Sequence, residues 1–231
     1  RIHERQGKLI IPAFSVGRTQ HVTYALNLLA ENKKLPDLPI YVDSPLAKAA
    51  TEIFQRHPEC YSPETRRQMQ QESDRAVLMF RRLRYTQSAD ESKKLNDLDG
   101  PAIIISASGM CESGRILHHI WHHGQSERNC ILFVGYQAQG TLGRRILDGT
   151  RKIRVHGREM ELRAEVLKME GFSAHADREG LEEFISSTRS TLRDVFVVHG
   201  EPEQSEAFAS WIRDHTGAKT LVPGLGMTVG L

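Results

Sequence analysis

The sequence predicts an α/β fold built on a mainly parallel sheet flanked by helices. Short β-branched runs alternate with helical, turn-punctuated stretches along all 231 residues. The run Ala102-Ile103-Ile104-Ile105 is apolar throughout, as a strand buried on both faces requires. No repeat of 20–50 residues and no low-complexity tract interrupts the alternation.

The elements follow in order. Gly7 to Phe14 reads as a buried strand that stops at Pro12, and Val22, Ala25, Leu26 and Leu29 mark a helix from Gly17 to about Asn32. Pro39 to Val42 is a strand. Ser44-Pro45 starts a helix that runs to about His57, with serine at the N-cap and proline at the first helical position. Ser62-Pro63 opens a polar helix, Leu78 to Thr86 reads as a strand, and Ser88-Ala89-Asp90-Glu91 is a capping box. After the Ala102 strand come a helix at about Glu112–His123, a strand at Cys130–Val134 and a helix at Gly140–Leu147. Glu161 to Met169 reads as an exposed or hairpin strand. Helix Asp177–Ser187, strand Val195–Val198, helix Pro202–Thr216 and strands Lys219–Val222 and Met227–Val229 complete the chain.

Composition narrows the function classes. Formal net charge is +2, 39% of residues are hydrophobic and 26% charged, which excludes general disorder and a broadly basic surface. No apolar run approaches the roughly 20 residues of a membrane-spanning helix. Cys60, Cys111 and Cys130 form neither a disulfide framework nor a CxxC clip, so a reducing, cytoplasmic setting is expected.

In a parallel sheet, chemistry sits beyond the C-terminal strand ends. Three small-residue loops fall there: Phe14–Thr19, Ser106–Met110 and Gly135–Arg144. Glycine and serine allow close backbone approach, and helix N-terminal N–H groups attract anions. A multiple-phosphate site and plain tight turns are equally good readings of the three. Neither Walker A nor GxGxxG is present. Ala13-Phe14-Ser15-Val16-Gly17 lies one residue from a GxSxG elbow, with Asp194 and His199 downstream, so a serine hydrolase using Ser15 is an alternative. His118, His119, His122 and His123 share a helix, but without HExxH spacing they read as a polar face with one or two packed rings. His175 and His199 each stand near a carboxylate able to fix the imidazole.

Taken as an ordered set, IPAFSVGRTQ (11–20), DSPLA (43–47), SASGM (106–110), GYQA (135–138), GTLGR (140–144), FSAHAD (172–177) and VHGEP (198–202) closely resemble the beta-CASP family of metallo-beta-lactamase-fold ribonucleases, nearest the prokaryotic branch similar to the mRNA 3′-end cleavage endonuclease. The resemblance implies that residues 1–170 are a beta-CASP cap domain. Residues 171–231 would be the return segment of a metallo-beta-lactamase αββα sandwich, the RNA specificity region. It implies a zinc-dependent hydrolysis of phosphodiester bonds in single-stranded RNA. His199 would then be a zinc ligand and His175 the general acid, with Asp177 and Glu201 as their carboxylate neighbours. Arg18, Ser106, Ser108, Gly109, Gln137 and Arg144 would bind RNA phosphates. The family's HxHxDH motif is absent. The expectation is therefore a C-terminal portion supplying one ligand to a two-zinc centre, inactive alone, with a non-catalytic RNA-binding module as the alternative. A homodimer through Lys219–Leu231 and no membrane association complete the expectations.

Overall fold

The computed structural model describes residues 1–71, 78–173 and 175–230, with the side chains of 68–71 left aside. Ala174 of the FSAHAD motif and the terminal Leu231 lie outside the described residues. The chain divides into two compact units, Arg1–Ser173 and Ala174–Leu231.

The first unit begins with β1 (Lys8–Pro12), α1 (Arg18–Glu31), β2 (Ile40–Asp43), α2 (Pro45–Arg56) and α3 (Pro63–Gln71). It continues with β3 (Leu83–Tyr85), α4 (Ala89–Lys94), β4 (Ala102–Ser106), α5 (Arg115–His123), β5 (Cys130–Phe133) and α6 (Leu142–Leu147). Strands β6 (Lys152–Val155), β7 (Arg158–Glu161) and β8 (Glu165–Lys168) close it. Six strands form one sheet in the order β3-β2-β4-β1-β5-β8, and every pairing in it is parallel. The expected α/β sheet is therefore present.

Strand alternation divides the core in two. Ile10, Ile104, Ile131 and Phe133 face Ile116 and Ile120 of α5 and Ile146 of α6. Ile11, Ile103, Ile105 and Val42 face Val22 and Leu26 of α1 and Ala47 of α2. The inner positions of the central strands β1 and β4 are apolar, Leu9–Ile11 and Ala102–Ile105, because each side of the sheet is covered. Chain order then creates a switch point. From β1 the chain leaves through α1 on one face, and from the adjacent β4 it leaves through α5 on the other. The loops after β1 and β4 splay apart there, the place where ligands bind such sheets.

Two readings need correction. Glu161–Met169 is not one strand. Its start pairs back as β7 against β6, antiparallel, through a His156-Gly157 turn with φ of 50° and 75°. Its end, β8, joins the main sheet as a parallel edge beside β5. The β6–β7 ribbon turns Ile153, Val155 and Met160 into the α5 side of the core, and its two positive-φ turn residues match the twist of a hairpin. Strand Leu78–Thr86 contracts to three residues, and Met227–Val229 is irregular.

The second unit holds α7 (Arg178–Thr188), β9 (Asp194–Phe196), α8 (Pro202–Thr216) and β10 (Lys219–Leu221), with β9 and β10 paired in parallel. Asp177 caps α7 by accepting from the Gly180 N–H at 2.9 Å. Its buried apolar set is small: Ile185, Ala209, Ile212 and Ala218.

Candidate nucleic-acid interface

Three loops line the switch point. The first, Ala13–Gly17, is anchored from below. Ala13 N–H donates to Ser106 O at 3.0 Å, Gln20 Nε2 to Ser15 O at 3.2 Å, and the Ser15 and Ser44 hydroxyls pair at 2.9 Å. The partner of Ser15 is thus another hydroxyl, which cannot serve as a general base.

The second loop, Ala107–Gly114, lies against the first. A methyl on Gly109 would come 3.1 Å from the Phe14 ring and 3.2 Å from its amide nitrogen, so a side chain there would have to push Phe14 aside by a few tenths of an ångström. The third loop, Val134–Thr141, is tied to the second by Gln137, 3% exposed, whose amide donates to Gly109 O at 3.0 Å. Gly143 N–H donates to Met110 O at 3.0 Å, and Leu142 N–H donates to Glu112 Oε1 at 2.5 Å.

Several residues expected to contact phosphate also hold the loops to one another. Ser106 is 1% exposed and its hydroxyl donates to Asp43 O at 3.2 Å. Ser108 Oγ accepts from Glu112 N–H at 3.2 Å. Ser106, Ser108, Gly109 and Gln137 therefore shape the crevice. Arg144 is paired with Asp148 at 2.8 Å along α6. Helix N-termini do not present the open amides expected of them. Gly17 and Gly114 offer no side-chain cap. The loops fold back instead, so Arg18 and Thr19 N–H reach Val16 O and Phe14 O, and Ile116 N–H reaches Ala107 O.

Arg18 stands apart. Its Nη1 is buried and has no hydrogen-bond partner. Its Nε would lie 3.8 Å from a methyl placed on Gly135, so the guanidinium lies beside the third loop. Burial holds its pKa below the ordinary arginine value. A desolvated guanidinium with an unused donor is an anion receptor.

Beneath the crevice lies a charged hub that the motifs did not reveal. Asp43, fully buried at the end of β2, accepts from Arg115 Nη1 at 2.8 Å, Ser92 Oγ at 2.7 Å, His119 Nε2 at 2.6 Å and the Thr86 hydroxyl. Burial alone would raise its pKa. Hydrogen bonds from His119, Ser92 and Thr86 outweigh that and hold the carboxyl well below the usual carboxylate range. The hub ties β2, the end of β3, α4 and α5 together at the sheet edge. A strand-terminal Asp, with Arg and His four apart on a later helix, was the available signal; only the topology joins them.

The histidine helix divides by face. His119 and His123 are buried and stack at 5.9 Å, whereas His118 and His122 are exposed. Burial first, then the neighbouring His119, Lys8 and His122, pushes His123 down to about 4. Of the cysteines, Cys111 and Cys130 are buried, and burial raises Cys130 to about 11, so neither is an activated thiol.

In the second unit His175 and His199 are both exposed. His199 follows β9 in the left-handed region, φ 65°, and Gly200 after it leaves room for the Ser205 hydroxyl, 2.4 Å from where a methyl would sit. Glu201 is the N-cap residue of α8 and Asp177 that of α7. Among the described residues no group of three or more His, Cys, Asp or Glu is placed to hold a metal ion. His199 brings one imidazole. These residues by themselves do not fit a zinc centre.

The fold and site thus define a class: a doubly wound α/β domain with an anion-receptive switch point, followed by a small unit with two exposed histidines. Residues 19–146 match the Beta-Casp domain, and residues 159–223 match the Zn-dependent metallo-hydrolase RNA specificity domain. The chain belongs to the beta-CASP family of the metallo-beta-lactamase fold. It is 34% identical over 227 residues to the transcription termination factor FttA of Methanocaldococcus jannaschii, covering 95% of this chain and 35% of that protein. It is 38% identical over 200 residues to ribonuclease TTHA0252 of Thermus thermophilus, covering 86% of this chain and 44% of the relative. An RNase J-like protein of M. jannaschii is 33% identical over 223 residues, 96% of this chain and 50% of its own length. The chain spans about a third to a half of the length of these relatives.

Proposed function

We propose that the chain forms the RNA-gripping cap and C-terminal catalytic segment of a zinc-dependent ribonuclease that hydrolyses phosphodiester bonds of single-stranded RNA. The observation that carries this reading is the Arg18 guanidinium at the switch point, whose Nη1 is buried without a hydrogen-bond partner. The family match and the ribonuclease among the relatives support reading that anion as an RNA phosphate.

In this reading Arg18 neutralises one phosphate while the glycine-lined loops let the backbone of the strand lie close. His199 serves as one zinc ligand, the remaining donors coming from a lactamase core outside this chain. A zinc ion held by His199 together with those further donors would supply Lewis-acid chemistry toward the phosphate. His175 donates a proton to the leaving oxygen, and Asp177 and Glu201 orient the imidazoles beside them. The exposed Phe184 of α7, 65% accessible, and Leu181 suit a segment that completes a larger core. A cytoplasmic setting and pairing of two copies belong to the same reading.

The test is made on the complete protein. Arg18→Ala should weaken single-stranded RNA binding about tenfold and lower the salt slope of binding by about one. His199→Ala should lose tight zinc, measured by metal analysis. His175→Ala should keep zinc and lose cleavage rate by about 100-fold or more. Normal zinc content in the first histidine variant, or near-normal turnover in the second, overturns that assignment. Chelator-insensitive RNA binding without cleavage by the complete protein would select the binding-module alternative instead.

A further inference from the structure

Three consecutive carbonyls of the first loop are held by the start of α1. Arg18 N–H donates to Val16 O at 3.0 Å, the Thr19 hydroxyl to Phe14 O at 2.8 Å and Gln20 Nε2 to Ser15 O at 3.2 Å. Gln20 Nε2 also reaches α2, at Thr51 Oγ1 2.9 Å and Ala47 O 3.3 Å away. The Thr51 hydroxyl donates in turn to Ala47 O at 2.8 Å and accepts from the Tyr85 hydroxyl at 3.4 Å. The Gln20 amide is therefore a strut between the loop and α2, and its side chain is buried, 2% exposed.

The strut leaves a polar atom unsatisfied. Gln20 Oε1 is buried and has no hydrogen-bond partner. Turning the amide over would aim that oxygen at the Ser15 and Ala47 oxygens, so the orientation is forced. A methionine of similar volume would fill the space without an orphaned acceptor. What the amide supplies beyond packing is a fixed place for Ser15 O. Two residues earlier, about 200° round the same helix, Arg18 lies beside Gly135 of the third loop with its unused donor. One turn of α1 thus carries the anion receptor on one side and the strut on the other.

We propose that Gln20 is a positioning residue: by tying Ser15 O to α2 it sets the first loop and the α1 start, and through them the Arg18 guanidinium, for binding a phosphate. This role rests on the reading of the crevice as an RNA site. Gln20 itself touches no RNA and acts through Arg18.

The test is a double-mutant cycle in the complete protein, read by single-stranded RNA binding at several salt concentrations, with the urea midpoint measured alongside. Gln20→Met should weaken binding about fivefold and lower the salt slope by about one, as Arg18→Ala does, without lowering the midpoint. In the Arg18→Ala background Gln20→Met should change nothing further. Thr51→Val, which removes the nearest Gln20 partner and leaves the amide, should show a smaller loss with the same dependence on Arg18. Equal losses in both backgrounds, a loss that tracks a lowered midpoint, or unchanged affinity in Gln20→Met overturns the positioning role. Unchanged affinity in Arg18→Ala would instead overturn the RNA reading. The Arg18 Nε–H resonance of the RNA-free protein then decides the positioning: a shift in Gln20→Met upholds it, and an unmoved resonance overturns it.

Discussion

Asp43 and His123 are both buried ionisable side chains, and their surroundings drive them to opposite charge states. Asp43 meets four donors, Thr86 after β3, Ser92 of α4 and Arg115 and His119 of α5, and keeps its negative charge. His123 Nε2 is buried with no hydrogen-bond partner, and His123 stays neutral. The pH dependence follows from the sign of each shift. Between the ordinary imidazole pKa of 6.5 and the folded value of about 4, the unfolded chain binds a proton that folded His123 refuses. Stability therefore falls as pH drops through that window, by up to about 1.4 kcal/mol per pH unit. The Asp43 contribution is present above the usual carboxylate range and is lost as pH falls below it. Urea midpoints followed from pH 7.5 to 5 should decline in the parent and decline less steeply in His123→Gln. Parallel profiles would remove His123 as the cause. The sequence marked both positions without their roles: Asp43 stood in the DSPLA motif just before the Ser44-Pro45 helix start, and the histidine face gave no sign of which rings point inward.

Helix α5 and the loops around it show what an element adds. Its period is legible, since Ile116 and Ile120 recur on the buried face. Its start is not, because Glu112, Ser113 and Gly114 belong to a loop that reaches across to α6. Glu112 and Met110 supply the acceptors for the first α6 amides, and Thr141 caps Arg144 N–H at 3.2 Å. Gly143 makes this junction possible. A methyl there would fall 1.9 Å from Gln137 Oε1 and 2.9 Å from Met110 O. Gly143→Ala should displace Gln137, loosen the second and third loops, and weaken single-stranded RNA binding several-fold in a filter or anisotropy assay. Retention of parental affinity would show that the crevice tolerates the shift. The small residues of these motifs were conspicuous in the sequence, but their role is mutual packing of loops, which spacing cannot distinguish from ligand contact.

At the scale of the molecule, the two units differ in what each can sustain. Residues 1–173 hold a sheet covered on both faces, with two separate apolar clusters. Residues 174–231 bury few apolar side chains and expose Phe184, Val198 and Met227. A domain of about 60 residues is marginal even with a full core. Expressed alone, residues 1–173 should unfold cooperatively in calorimetry, and residues 174–231 should show no cooperative transition. A sharp transition in the smaller piece would mean that its packing is self-sufficient.

The sequence by itself determined the α/β class, most elements and the family, because these rest on local periodicity, capping residues and an ordered set of short motifs. Composition also fixed the near-neutral charge and the absence of a long apolar span. Tertiary structure decided the strand order, hence the switch point between β1 and β4. It turned one expected strand into a hairpin arm and a sheet edge. It also decided which expected contacts are spent inside the scaffold and which, like Arg18, keep an unused donor. Those outcomes depend on pairings between residues tens of positions apart, as when Asp43 meets Thr86, Ser92, Arg115 and His119. Burial and hydrogen-bond satisfaction are properties of such encounters, and no local pattern encodes them.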